Sequence, residues 1–534
     1  MPKSATLALG LVILVAAIFR LAFLIGFDGF DDVMYANSAQ ALTNGRFYLS
    51  LWDGEGRIGH YGPLALFYLL FGPSMATTLA WPFLCSLVTI VLLYRIVFLL
   101  AGQDAALLAA AFFALIPPAV STATTNVPDV AMVMLGTAAV YAWMLARRAH
   151  GIRSAGLYLL CVLLLVWGVW ANQRTVFTGA FLLGWSLLER HGARLAAWAE
   201  QLMRSGAKLG AGMALIVAVW YYGSQQSLAF PDALASTASD MFGQLSTSAS
   251  FYIVFPIAVM VIVMTLRKPE PATRFAFAWF AFTFIALEWS PMSLNPMYYN
   301  PAPGRPIAAR GILFLMLPLA ALVGLWLAKL APKGQAAQVL WLVYPVLGVA
   351  GLGTYLGLWD TPGLLAVSSL AVLLFVALSL LLPGRIQGQQ AAYLAVLLLA
   401  FGLAIVNPVQ KAVEFSYERR AYFRNLELTA ALVEEYPETQ LYFLNQEDTR
   451  ALNHLNFVSG YVLAPDPFDE LSGRMQFITQ VDQVTAGSLV IVLQPSLLQE
   501  VEPTWRQIAH FEQPATPIVA NPPQVYVFEV DASP

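Results

Sequence analysis

Charge is what this chain has least of. Asp, Glu, Lys and Arg make up 11% of its 534 residues, where soluble domains carry about 25%, so an ordinary soluble fold is excluded. The net charge of −3 says little about partners, and no nucleic-acid partner is expected. Cysteine is almost missing. Cys85 and Cys161 both fall inside apolar runs, which rules out a disulfide framework or a cysteine-built zinc site. There is no internal repeat and no low-complexity tract. The first apolar run lacks an Ala-x-Ala-like cleavage site, so it reads as a retained span and not as a removed signal.

What is present is apolar. Hydrophobic residues make up 59% of the chain, and the mean hydropathy is +0.67. Runs long enough to cross a hydrocarbon layer of ~30 Å recur along most of the length. Thirteen candidate spans follow from length and apolarity: 6–27, 76–100, 105–118, 128–146, 155–170, 174–189, 209–222, 251–266, 275–290, 311–328, 338–357, 363–382 and 391–406. Every second loop is basic, with Arg147, Arg148 and Arg153 in one and Arg267, Lys268 and Arg274 in another. That alternation puts the N-terminus in the cytoplasm and the opposite loops outside.

After residue 406 the composition turns soluble. Phe415 to Tyr436 has the pattern of an amphipathic helix, and β-rich runs follow at Leu441–Leu444, Ser488–Leu493 and Val525–Val530, with a helix expected over 449–457. The expected fold is therefore a polytopic α-helical membrane domain, 1–406, with an outward first loop, 28–75, and an extracytoplasmic α/β domain, 407–534. The expected setting is a bacterial inner membrane.

The first loop carries the chemistry. Asp28, Asp31 and Asp32 follow the first span at close quarters, and like charges so near one another require a cap, a cation or a reaction. Asp31 to Asn44 reads as a helix that acidic residues open and Asn44-Gly45 stops. On the bland reading, the aspartates only cap that helix. On the functional one, a carboxylate whose pKa is raised by its neighbour serves as a general base. The loop then reaches His60-Tyr61-Gly62-Pro63-Leu64, read as a turn, and returns as an interfacial helix, Leu64 to Phe71, with Phe67 and Tyr68 at headgroup level.

A first span with Arg20, an acidic pair opening an outward helix, and a His-Tyr-Gly-Pro-Leu segment about thirty residues on together resemble the membrane-embedded GT-C glycosyltransferases. The lipid A aminoarabinose transferases and protein O-mannosyltransferases are the groups most similar. Thr124-Thr125-Asn126-Val127-Pro128-Asp129 resembles the family's second acidic position. The resemblance implies an inverting transferase that uses a polyprenyl-phosphate sugar donor and a hydroxyl acceptor on a lipid, glycan or protein, among membrane lipids. Asp31 takes the place of the base and Asp32 of its support, while Asp129 would hold a substrate hydroxyl or a basic partner. No cofactor is implied; a divalent cation on the aspartates is possible chemistry but is not expected.

Outward cations are few: Arg46, Arg57, Arg174, Arg305 and Arg310, with His60. Arg57, His60, Tyr61, Asp129, Arg174, Arg305 and Arg310 are the candidate substrate-binding residues. Arg174 either snorkels at a span end or serves the site. The proline-stiffened segment 295–310 is either a rigid connector or a lid over a lipid phosphate, with arginine contacts. The chain departs from the aminoarabinose transferases in having His60-Tyr61 where those carry a lysine, and in a loop, 223–250, without Lys or Arg. Arg20 is expected to pair with Asp28 or to snorkel. A transporter would need ionisable groups near the bilayer midplane, and a scaffold would use the acidic loop only for capping; both stand as rival readings.

Overall fold

The computed structural model describes residues 3–22, 24, 26, 30–46, 57–116, 119–120, 122–204, 270–289, 312–330, 334–356, 424–444, 475–478, 480–492, 495–514 and 524–530. Among the described residues, eleven helices precede the C-terminal region: α1 (Lys3–Ala22), α2 (Phe30–Thr43), α3 (Ile58–Phe71), α4 (Met75–Ala101), α5 (Gln103–Leu115), α6 (Pro128–Arg148), α7 (Gly151–Ala171), α8 (Thr175–Arg204), α9 (Pro271–Trp289), α10 (Ile312–Leu330) and α11 (Ala336–Tyr355). Among the described residues, five stretches are long and apolar enough to cross a membrane: α1, α4, α6, α7 and Ala336–Gly353 of α11. Helices α5 and α10 are apolar but shorter. The spans expected at 209–222, 251–266, 363–382 and 391–406 lie outside the described residues.

Helix α5 is the axis of the bundle, buried on every side from Ala105 to Ile116. Its alanines explain this, because lipid gives helices no hydrophobic reason to associate and small side chains let backbones approach. Gly324 of α10 lies so near that a Cβ there would stand 2.6 Å from the Ala105 carbonyl oxygen. From α11, the Tyr344 hydroxyl donates to the Ala111 carbonyl at 2.6 Å.

Arg20 departs from one of its two expected roles. It neither snorkels nor sits at the surface, but is fully buried. Its Nε donates to Ser86 Oγ of α4 at 2.8 Å, and its Nη1 donates to the Ala16 and Ala114 carbonyls at 3.0 Å each. Ala114 is in the last turn of α5, whose carbonyls lack intrahelical donors, so the guanidinium caps that helix and ties three helices together. Asp28 lies outside the described residues.

The described residues of the C-terminal region begin with α12 (424–433) and carry five strands: β1 (Leu441–Leu444), β2 (Met475–Ile478), β3 (Leu489–Val492), β4 (Arg506–Glu512) and β5 (Gln524–Glu529). Their order is β2-β1-β3-β5-β4. β1 is parallel to β2 and β3, and β5 is antiparallel to β3 and β4. β1 and β3 are buried on both faces. On one face Tyr442, Val490 and Phe528 pack with Leu497 and Trp505. On the other, Leu441, Phe443, Ile491 and Val527 belong to a continuous cluster with Leu426 of α12 and with Val33, Tyr35 and Ala36 of α2 and Tyr61, Leu64 and Tyr68 of α3. The sheet therefore rests on the α2–α3 pair. The strands expected at Ser488–Leu493 and Val525–Val530 appear within a residue or two, whereas β2 and β4 are additions; the helix expected over 449–457 lies outside the described residues.

Candidate functional site

The polar side chains gather at the end of the bundle where α1 and α7 finish and α6 and α8 begin. Two connecting segments are pinned together there. Gly26, at φ +82°, donates its N–H to the Thr124 carbonyl at 2.9 Å and forms a parallel bridge with Thr125. Asn126 follows. Its Nδ2 donates to the backbone carbonyl of Asp32 at 2.7 Å, and its Oδ1 lies 3.0 Å from His60 Nε2. One fully buried amide thus holds the first turn of α2 and the first turn of α3. Asp32 is itself buried, with its carboxylate accepting from the Val33 N–H at 3.1 Å. Helix α2 opens at Phe30 and ends at Thr43, with Gly45 at φ +73° beyond it, as the Asn-Gly stop predicts. The side chain of Asp31 lies outside the described residues.

The segment expected to be a turn, His60 to Leu64, is helical instead. Pro63 has no N–H, so the carbonyl four residues back, on Gly59, has no helical donor. Trp167 Nε1 of α7 fills that place at 3.0 Å. Gly59 also lets the helices touch: a Cβ there would stand 2.5 Å from the Ala171 nitrogen and 2.7 Å from the Trp167 carbonyl oxygen. The far half of α3 exposes Leu66, Leu69, Leu70 and Phe71, as an interfacial helix does. Tyr68, expected at headgroup level, is buried, with its hydroxyl 2.6 Å from Thr78 Oγ1. Tyr61 is also buried, in the apolar cluster shared with the sheet.

Asp129 stands in the first turn of α6 behind Pro128, at the positive end of the helix dipole. Arg174 Nη1 is 3.4 Å from its carboxylate, and Asn172 Nδ2 is 3.5 Å away. Asn172 also accepts the Arg174 N–H on its Oδ1 at 3.1 Å, so it shapes the turn that presents the guanidinium. The Arg174 side chain keeps 20% of its surface open and Asp129 only 5%. Arg57, ahead of α3, places its guanidinium 5.6 Å from the Tyr35 ring centroid, a cation–π distance.

His60 is the most perturbed group here. Burial lowers its pKa to about 4, with Arg57 adding to the depression and the Asn126 bond and Asp129 opposing it. The imidazole is therefore neutral at pH 7, and His60 does not count among the cations. The candidate residues Asp32, Arg57, His60, Asp129 and Arg174 converge, while Arg305 and Arg310 lie outside the described residues. Asn126 and Asn172 are the residues that sequence reasoning passed over; the signal was their place inside the two motifs, beside Asp129 and Arg174. Among the described residues, no three His, Cys, Asp or Glu side chains group as metal ligands.

The crystal structure of ArnT from Cupriavidus metallidurans bound to undecaprenyl phosphate aligns over 100% of both chains, with a TM-score of 0.56 at 16% identity. The apo form of that protein aligns over 98% of both, with a TM-score of 0.54 at 16% identity. The chain has the ArnT fold. The family model for dolichyl-phosphate-mannose-protein mannosyltransferases matches residues 63–222, which include Asn126, Asp129, Asn172 and Arg174. The archaeal oligosaccharyltransferase AglB from Archaeoglobus fulgidus, in complex with an inhibitory peptide and a dolichol-phosphate, gives a TM-score of 0.38 at 12% identity, over 84% of this chain and 63% of its own. No curated protein matches the chain in sequence. The ArnT fold, together with five described helices long and apolar enough to cross a membrane, makes this an integral membrane protein.

Proposed function

We propose that the chain is an inverting glycosyltransferase that moves a sugar from a polyprenyl-phosphate donor to a hydroxyl on a lipid, glycan or protein. The observation that carries this reading is the meeting of Asp32, Arg57, His60, Asp129 and Arg174 at one end of an ArnT-like bundle, supported by the mannosyltransferase family match over 63–222. The basic-loop alternation puts that end outside, in the periplasm of a bacterial inner membrane, with the 407–534 domain above it.

In this mechanism Asp31 takes the acceptor hydroxyl's proton, and the oxygen attacks the anomeric carbon from the face opposite the phosphate. The carbon–oxygen bond to the phosphate breaks, and polyprenyl phosphate leaves with the electron pair. A phosphate leaving group needs cations and no acid. Arg57, Arg174, Arg305 and Arg310 are the cations proposed for it. Asp32 and Asn126 hold the first turn of α2, the turn that contains Asp31 in sequence, and Asp129 orients Arg174.

The test is mass spectrometry of envelope lipids, polysaccharides and glycoproteins from a deletion strain, complemented at matched expression with wild type or Asp31→Asn. A sugar modification that vanishes on deletion and returns only with wild type supports the reading and identifies the acceptor. Full restoration by Asp31→Asn removes Asp31 as base. No glycan change on deletion favours a transporter or scaffold.

A further inference from the structure

From the hydrogen bonds around His60 we infer that its Nδ1 is a buried acceptor that reads a hydroxyl of the sugar substrate, with Asn126 fixing the ring for that role. The inference rests on the proposed function and adds to it a named atom and a ligand class. The chemistry of Asn126 forces the assignment. A backbone carbonyl only accepts, so the Asn126 nitrogen faces Asp32 and its oxygen faces His60. An amide oxygen also only accepts, so His60 carries its proton on Nε2. Nδ1 is then a bare lone pair.

That atom is buried and, among the described residues, has no hydrogen-bond partner, in a ring that is fully buried. Buried polar atoms are nearly always paired, and an exception needs a reason. The surroundings supply one: Arg57, Asp129 and Asn126 all act on this ring electrostatically, so the orphan acceptor lies within the candidate site. It is not a stray atom of the core. The Tyr35 ring meets His60 edge-on, with centroids 5.3 Å apart, and holds it from another side.

A neutral ring with a bare lone pair takes a hydrogen-bond donor and repels an oxyanion. Nδ1 is thus unsuited to the phosphate and suited to a hydroxyl. The atom is closed off in the ligand-free chain, so a hydroxyl must displace neighbouring side chains to reach it. The bond it then makes is strong, because the place is dry.

Two replacements separate this role from a structural one. His60→Gln places an amide nitrogen where Nε2 was and keeps the bond to Asn126, but it loses the acceptor at Nδ1. His60→Asn keeps an acceptor near Nδ1 and loses the bond to Asn126. The glycan modification identified with the deletion strain is followed as an initial rate after induction, at matched expression. His60→Gln is expected to melt like wild type and to lose roughly 10- to 100-fold in rate. His60→Asn is expected to melt earlier and to keep more of the rate than His60→Gln per folded molecule.

Independently of activity, 15N NMR of the full chain in lipid nanodiscs, labelled at its five histidines, reads the tautomer; the His60 signals are those missing in His60→Gln. A ring protonated on Nδ1 overturns the inference whatever the rates. A bare Nδ1 with His60→Gln at the wild-type rate also overturns it, and leaves the atom to an internal water. If wild type itself modifies nothing, the proposed function fails and the substrate role falls with it, while the NMR result still fixes the tautomer.

Discussion

Replacing Gly59 with alanine tests the packing that sets His60 in place. The added Cβ would stand 2.5 Å from the Ala171 nitrogen and 2.7 Å from the Trp167 carbonyl oxygen. Both are backbone atoms of α7, so no side chain can swing aside and the helices must part by several tenths of an ångström. Overpacking of this kind costs about 1–3 kcal/mol. Parting also lengthens the 3.0 Å bond from Trp167 Nε1 to the Gly59 carbonyl, which Pro63 leaves without another donor; a lost bond adds about 1 kcal/mol. The sum, about 2–4 kcal/mol, should show as a lower unfolding temperature of the purified protein in detergent, and the rate of glycan modification should fall because His60 is the next residue. Gly62→Ala is the control within the same helix. Its Cβ would meet only Ile58 Cγ1 at 3.5 Å, an ordinary contact, so it should melt like wild type or slightly above it. Equal melting of Gly59→Ala and Gly62→Ala would refute the contact between α3 and α7.

Asp129→Asn removes the carboxylate beside Arg174, 3.4 Å away and largely buried; we expect a loss of roughly 1–3 kcal/mol and a larger loss of transfer rate, read by melting and by the glycan assay. Arg20→Met leaves the Ala114 carbonyl and Ser86 without their donor, and should lower stability by roughly 2–4 kcal/mol; melting at the wild-type temperature would contradict the capping role. His60 makes stability depend on pH. Its folded pKa of about 4 lies below the ordinary 6.5, so the unfolded chain binds the extra proton, and the contribution is intact above about 6.5 and lost as pH falls toward 4. The full difference is about 3 kcal/mol. Arg57 and Asp129 face the ring with opposite effects on its charge, and neither reverses the sign. Unfolding of wild type and His60→Gln at pH 7 and pH 4.5 checks this, the expected result being a smaller acid loss in the variant.

The helices were legible because a span must be apolar for its whole length. The expected run at 128–146 became Pro128–Arg148, and the one at 155–170 became Gly151–Ala171. The stop at Asn44-Gly45 was legible for a local reason, the left-handed backbone at Gly45. What misled was non-local. His60 to Leu64 looked like a turn because Pro63 breaks a helical hydrogen bond, and the replacement donor, Trp167, is 108 residues from Gly59. Arg20 looked like a surface anchor because nothing near it in sequence announces the α5 carbonyl, 94 residues on, that it caps. β2 and β4 escaped notice as the two edges of the sheet. β4 is mostly exposed, and an irregularity between Gln507 and Ala509 breaks its alternation. In the site, titratable residues drew attention to Asp32, His60, Asp129 and Arg174, while the amides that hold them, Asn126 and Asn172, carry no charge to flag them.

These amides matter because the site is built at helix ends and connections, which are less rigid than helix middles. A constellation of that kind keeps its geometry only if supporting contacts over-determine it. The support comes from four separate parts of the chain. The Gly26–Thr125 bridge fixes the segment carrying Asn126, and Asn126 fixes the starts of α2 and α3 together. Trp167 and the bare backbone at Gly59 fix α3 on α7, whose next turn presents Arg174. The sheet shares one buried cluster with apolar residues of α2 and α3. Helices α2 and α3 thus serve two surroundings, a polar one where Asp32 and His60 meet Asn126 and an apolar cluster that also contains Phe443 and Ile491. A displaced C-terminal domain would move the first turns of α2 and α3, and with them the backbone that carries Asp31.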